Sequence, residues 1–108
     1  DISTAGGALF SSTQNVQLVV LQPTFAVVNN VVKLTSDAGG NNVSTITAGH
    51  DGMLLTIRCV DALTVFVNSA VANGLNLQGG ANLNSAAELI LQLVYTNSVW
   101  YEVSRCQT

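Results

Sequence analysis

The chain has 108 residues, 48% hydrophobic and only 8% charged, with a formal net charge of −3. That length fits one domain with one modest core. With Lys33, Arg58 and Arg105 as its bases, it lacks the clustered cations of a nucleic-acid footprint or an anionic-membrane binder, and no apolar run reaches the roughly 18 residues of a membrane-inserting helix.

Residues 1–15, Gly- and Ser-bearing with Leu9-Phe10 as the apolar pair, read as an N-terminal arm or linker. The opening Asp1-Ile2-Ser3-Thr4 has neither the basic nor the apolar region of a signal peptide, and reads as the start of a processed product or of a module of a longer protein. Residues 16–108 read as a single β domain. Strands are expected at 16–21, 25–28, 31–35, 43–47, 53–59, 63–67, 75–77, 81–83, 89–95 and 99–104. Turn chemistry separates them: Gln22-Pro23-Thr24, Asn29-Asn30, Asp37 to Asn42, Gly49-His50-Asp51-Gly52, Asn73-Gly74, Gly79-Gly80 and Thr96-Asn97-Ser98. The best helix candidate by propensity, Ser85 to Leu93, instead alternates Leu89, Leu91 and Leu93 against Ile90, Gln92 and Val94, which is a strand pattern. The fold class is therefore all-β, with many short strands in a sandwich, a barrel or a short solenoid.

A weak internal echo favours the solenoid. Lys33-Leu34-Thr35 leads through a glycine turn to Val43–Thr47, and Asn76-Leu77-Gln78 leads through Gly79-Gly80 to Asn82-Leu83-Asn84; a longer apolar strand follows each unit, Met53 to Cys59 and Leu89 to Tyr95.

Ordinary domains carry roughly a quarter charged residues, so this surface is covered by Asn, Gln, Ser and Thr or buried against something. Val16 to Leu21 and Ala26 to Val32 are apolar on both strand faces. So small a chain cannot bury many such strands alone, and an obligate oligomer is the expectation. Cys59 and Cys106 are either two buried thiols or one disulfide closing a loop of about 47 residues, worth about 3–4 kcal/mol in the chain-entropy model.

The final stretch, Leu89 to Arg105, places two β-runs around the turn Thr96-Asn97-Ser98. In the second run Val99, Tyr101 and Val103 are expected on one face and Trp100, Glu102 and Ser104 on the other. This ending Trp-Tyr-Glu-Val-Ser-Arg, with Gly49-His50-Asp51-Gly52 before a β-run and Leu-x-Leu-x-Gly-Gly over Leu75 to Gly80, resembles the C-terminal β-modules of bacteriophage tail fibres, tailspikes and related viral spike proteins. The resemblance covers roughly residues 30–106. It implies a homotrimer of intertwined or stacked β-structure, located on the virion or outside the cell, that assembles with other virion proteins and contacts the host surface.

No catalytic constellation emerges, and no enzyme or cofactor is expected. Asp37, Asp51, Asp61, Glu88 and Glu102 occupy turns or strand ends without the spacing of an acid pair. His50 is the one histidine. It reads as a solvated turn residue, or as a metal or anion ligand together with its copies about a threefold axis. Gly39-Gly40 and Gly79-Gly80 lack a following helix and a Lys, so they read as turns rather than phosphate cradles. Trp100, Tyr101 and Asp61 are the candidate binding residues, since an exposed aromatic beside Asn and Asp stacks on a sugar ring; packing within the trimer is the competing role. The expected function is a structural spike or tail-fibre module for assembly and host attachment. The alternatives are a glycan-binding, lectin-like tip and a capsid-decorating protein.

Overall fold

A computed structural model describes residues 13–69 and 71–106. Eleven strands are described: β1 (Gln14–Gln17), β2 (Thr24–Ala26), β3 (Val31–Thr35), β4 (Asn41–Val43), β5 (Thr45–Thr47), β6 (Leu54–Cys59), β7 (Thr64–Phe66), β8 (Gly74–Asn76), β9 (Leu83–Asn84), β10 (Ile90–Thr96) and β11 (Val99–Cys106). The architecture is all-β, a solenoid-like winding of about three turns.

The winding shows in the register. Gln14 lies beside Val32 and Val31 beside Thr56, so β1, β3 and β6 stack in parallel at offsets of 18 and 25 residues. Asn41 lies beside Thr64 on a second face, and Thr24 beside Thr45 on a third. The parallel stacking places Lys33 beside Arg58; of the segments matched by the glycine-turn echo, the two long strands pair directly but antiparallel, and Val43 and Leu83 share a row with Phe66 between them. Apolar side chains at matching positions form rows along the axis, such as Val32–Ile57–Leu91 and Val43–Phe66–Leu83, all but Leu83 fully buried. Each such side chain contributes about 1.5–3 kcal/mol relative to exposure.

One eight-stranded sheet runs in the order β1-β3-β6-β10-β11-β8-β5-β2, and a smaller one in the order β9-β7-β4. Both edges of the larger sheet, β1 and β2, belong to the first rung. The far end is closed by the β10–β11 hairpin, which pairs antiparallel with β6 and parallel with β8. Asn97 and Ser98 both have positive φ at its tip, as a two-residue turn matching strand twist requires. Among the described residues the solenoid thus has one end closed by a hairpin and, at the other, no strand beyond the first rung.

Three local expectations differ from the structure. The first strand ends at Gln17, because Leu18 turns into the core and the chain bends at Leu21; Gln14 and Asn15 belong to this strand, while residues 1–12 of the expected arm lie outside the described residues. The run 43–47 breaks at Ser44, a corner whose N–H donates to the Pro23 carbonyl at 2.9 Å. The strict alternation expected across β11 fails at a bulge: Gln92 faces Ser104 but Leu93 faces Glu102, leaving Val103 extra. Trp100 and Glu102 keep one phase, and Ser104 changes face to join Tyr101.

A buried polar spine lines the corner between the first and second faces. The Ser36 and Thr64 hydroxyls are hydrogen-bonded to each other, and the Ser85 hydroxyl accepts from the Thr64 N–H and donates to the Asp61 carbonyl. These bonds satisfy groups that would otherwise be buried without partners.

Candidate binding cleft

Trp100 is fully buried. Its indole N–H donates to the Ile46 carbonyl at 2.9 Å, and its ring lies 4.8 Å from that of Tyr95 at a tilt of 54°. It ties the closing hairpin to the third face and is removed from the set of residues able to touch a ligand. Asp61 is a turn residue: its carboxylate accepts from the Ser36 and Leu63 N–H groups at 3.1 and 3.0 Å. His50 is exposed in the turn before β6, where its carbonyl accepts from the Met53 N–H. Among the described residues no group of three His, Cys, Asp or Glu is placed to hold a metal.

Of the two readings of the cysteines, the structure has neither a disulfide nor two buried thiols: Cys59 and Cys106 are both free, one buried and the other exposed. Strand β10 lies between β6 and β11, and two inter-strand spacings of about 4.8 Å exceed the ~7 Å that a disulfide spans between Cα atoms. Cys59 faces the core, whereas Cys106 is exposed. Burial, with the Asp61 charge adding to it, pushes the Cys59 thiol up to about 12.

Tyr101 alone of the candidate binding residues reaches solvent in an open concavity. It is 37% exposed and, with Val99, Asn68, Ser69, Leu75 and Asn76, lines a cleft of about 230 Å3. The parallel pairing of β11 with β8 sets Tyr101 beside Asn76, and the bridge between Asn68 and Leu75 brings in the third wall. Leu75 is fully buried and forms the apolar floor. Two polar walls are fixed from behind. The Ser69 hydroxyl donates to the Ser44 carbonyl at 2.7 Å and accepts from the Leu75 N–H, and the Asn68 carbonyl oxygen Oδ1 accepts from the Leu77 N–H at 2.8 Å. The Asn68 Nδ2, the Asn76 amide and the Tyr101 hydroxyl keep their hydrogen-bonding capacity among the described residues. The lining holds no carboxylate, histidine, cysteine or base, so it offers an aromatic edge and neutral amides.

Glu102 points away from the cleft. The bulge puts it on the same side as Arg105, three residues on, where a regular strand would oppose them. Arg105 grips its carboxylate through Nη2 at 2.6 Å, and the Gln78 N–H donates to it at 2.8 Å. Burial alone would raise its pKa, but the bonds from Arg105 and Gln78 and the Arg105 charge together hold it below the ordinary 4.5. The Glu102–Arg105 ion pair lies within one chain and, through Glu102, pins the Gln78–Gly80 turn to the closing strand.

Of the cleft residues, Asn76 was accessible to sequence reasoning, since it alternates with buried Leu75 and Leu77. Asn68 and Ser69 carried no such signal: their place beside Tyr101 follows from the pairing of β8. Comparison with known proteins finds no matching family model, no matching curated sequence and no matching solved structure. No helix among the described residues is long and apolar enough to cross a membrane.

Proposed function

We propose that this chain is a homotrimeric structural module of a virion spike or tail fibre, acting outside the cell in assembly and host-surface attachment. The observation that carries the reading is the asymmetry of the solenoid. One end is sealed by the β10–β11 hairpin, the buried Trp100 and the Glu102–Arg105 pair. The other is the first rung, beyond which no further strand pairs among the described residues, and the sequence there carries no charged residue from Ile2 to Val32. A body so short of charge is suited to being covered by copies of itself and by other virion proteins. The resemblance of the closing strand, Trp100 to Arg105, to spike and tail-fibre endings points the same way. Light scattering at micromolar concentration tests it: a trimer is expected, and a monomer of 11.2 kDa would remove the reading.

A glycan-binding tip is the second reading, favoured by the Tyr101 cleft. A half-exposed phenol ring flanked by neutral amides suits a neutral sugar, stacking on its apolar face and bonding its hydroxyls. A glycan array with wild type and Tyr101→Ala separates the two: binding lost in the variant, with assembly and melting temperature intact, supports the tip.

A further inference from the structure

Asn73-Gly74 is the one Asn-Gly pair in the chain. In a flexible chain this dipeptide is the most prone to deamidation, because a glycine leaves its backbone nitrogen free to reach the preceding side-chain amide. The Gly74 nitrogen attacks Asn73 Cγ; the N–Cγ bond forms and the Cγ–Nδ2 bond breaks. Solvent carries the proton from the nitrogen to the departing NH2 group, which leaves as ammonia. Water then opens the cyclic imide. Attack at Cγ gives aspartate, and attack at the main-chain carbonyl carbon gives isoaspartate, whose backbone runs through Cβ.

The fold ties down the groups this reaction needs. The Gly74 N–H donates to the Val71 carbonyl at 2.9 Å, the Asn73 N–H donates to the Ser98 carbonyl at 2.7 Å, and the Asn73 carbonyl accepts from the Ile46 N–H at 2.9 Å. The Asn73 Oδ1 accepts from the Tyr95 hydroxyl at 2.7 Å. The nucleophile thus keeps its proton in a hydrogen bond, and the amide is tethered. Two of the partners, Tyr95 and Ser98, belong to the closing β10–β11 hairpin.

Neither residue is freely exchanged for a safer one. Asn73 has φ of 63°, which a short polar side chain tolerates. A Cβ on Gly74 would sit 2.7 Å from both the Ser69 carbonyl oxygen and its Oγ, and 2.8 Å from the Val71 carbonyl oxygen. Gly74 lies beside Val99 of β11 and Thr45 of β5, so this dipeptide is where the hairpin meets the third face.

We propose that Asn73 is a latent modification site, chemically silent while the β10–β11 hairpin is docked and converted to aspartate and isoaspartate once the hairpin lifts. Aspartate is the mild product, because its carboxylate still accepts from the Tyr95 hydroxyl. Isoaspartate adds a main-chain carbon ahead of Gly74 and breaks its register with Val99 and Thr45, so the hairpin no longer closes. Prolonged lifting of the hairpin is thereby made one-way.

The test follows Asn73 in the full chain by peptide mass mapping at mildly alkaline pH, with isoaspartate counted by enzymatic methyl labelling. Conversion in concentrated urea is expected to outrun that in native buffer by about tenfold or more, since it requires local opening. Tyr95→Phe removes one tether. Phe66→Leu weakens the buried body of the solenoid and leaves the tethers in place. Compared at equal global stability, set by added urea, Tyr95→Phe is expected to convert Asn73 faster. After return from urea, chains carrying isoaspartate are expected to lack the native fluorescence of buried Trp100, whereas Asn73→Asp regains it. Equal rates for wild type in urea and in native buffer, or a Tyr95→Phe variant no faster than Phe66→Leu, would overturn the protection by the hairpin. Full refolding of the isoaspartate chains would overturn the one-way closure.

Discussion

Gly49 and Trp100 form a steric lock whose strength is open to measurement. A methyl group built on Gly49 would sit 2.6 Å from Trp100 Cζ2 and 3.1 Å from its Cη2. Both atoms belong to the six-membered ring of the indole, and phenylalanine at this position lacks the ring system that reaches them. Gly49→Ala alone should destabilise by about 1–3 kcal/mol through overpacking, although in open space the same change would stabilise slightly by restricting the unfolded chain. Trp100→Phe alone should cost about 1–3 kcal/mol, from lost buried volume and the unpaired Ile46 carbonyl. The double variant should cost about 1–2 kcal/mol less than the sum, because the clash is absent from the Phe background. Tyr95 Cγ, at 3.1 Å from the added methyl, keeps the relief incomplete. Denaturant unfolding followed by far-UV circular dichroism reads all four proteins, since Trp100 is the single tryptophan. Additivity within about 0.5 kcal/mol, or a Gly49→Ala variant more stable than wild type, would refute the packing of the closing hairpin.

Thiol labelling of the native protein should modify Cys106 quickly and leave Cys59 protected until unfolding, because burial keeps the Cys59 thiol protonated; two equally fast thiols would contradict this. Stability should fall on acidification below the ordinary carboxyl value of 4.5, because Glu102 is held lower in the folded chain, and its contribution, complete above that value, is lost as pH drops through its folded pKa. Melting curves of wild type and Glu102→Gln between about pH 5 and pH 3 check it, with the variant expected to show the shallower acid loss. Thr24→Val should stabilise by about 1 kcal/mol by removing a buried hydroxyl that lacks a partner among the described residues; a loss of melting temperature would show that the hydroxyl is bonded.

The all-β class and the strand at 31–35 were legible because β-branched and aliphatic residues alternate there and glycine and asparagine mark the turns. The β10–β11 hairpin was legible for the same reason, with Asn97-Ser98 at its tip. The stacking was not, because it depends on which strands lie side by side: Lys33 beside Arg58 joins two segments with no shared motif. The bulge at Val103 was hidden as well. A single inserted residue leaves composition unchanged yet reverses the phase of everything beyond it, and so the expected grouping of Trp100, Glu102 and Ser104 did not hold. Whether Cys59 and Cys106 are bonded was not legible for a related reason: chain separation says nothing of the strand lying between two thiols. Of the cleft residues, Tyr101 alone was a candidate from sequence.

The described residues with positive φ other than glycine are Leu21, Ala48, Asn73, Glu88, Asn97 and Ser98, and the last four are held by turns or bonds that position strands. Asn73, Asn97 and Ser98 sit in turns that bring strands together, where short polar side chains tolerate that backbone. Glu88, with φ of 68°, is held by Arg58, which grips both of its oxygens at 3.0 Å, and by its N–H bond to the Cys59 carbonyl. Such an exposed ion pair contributes little to stability by itself. Its effect here is positional, returning the chain into β10 in register with β6. Each of these strained residues is explained by the interior it builds. Leu21 and Ala48 are different, because both have a left-handed backbone and both are exposed, so neither side chain adds to the interior. Their backbone serves the path of the chain alone, at the bend after Leu18 and before the turn that leads into β6, so glycine or asparagine at either position should relieve strain without loss of packing.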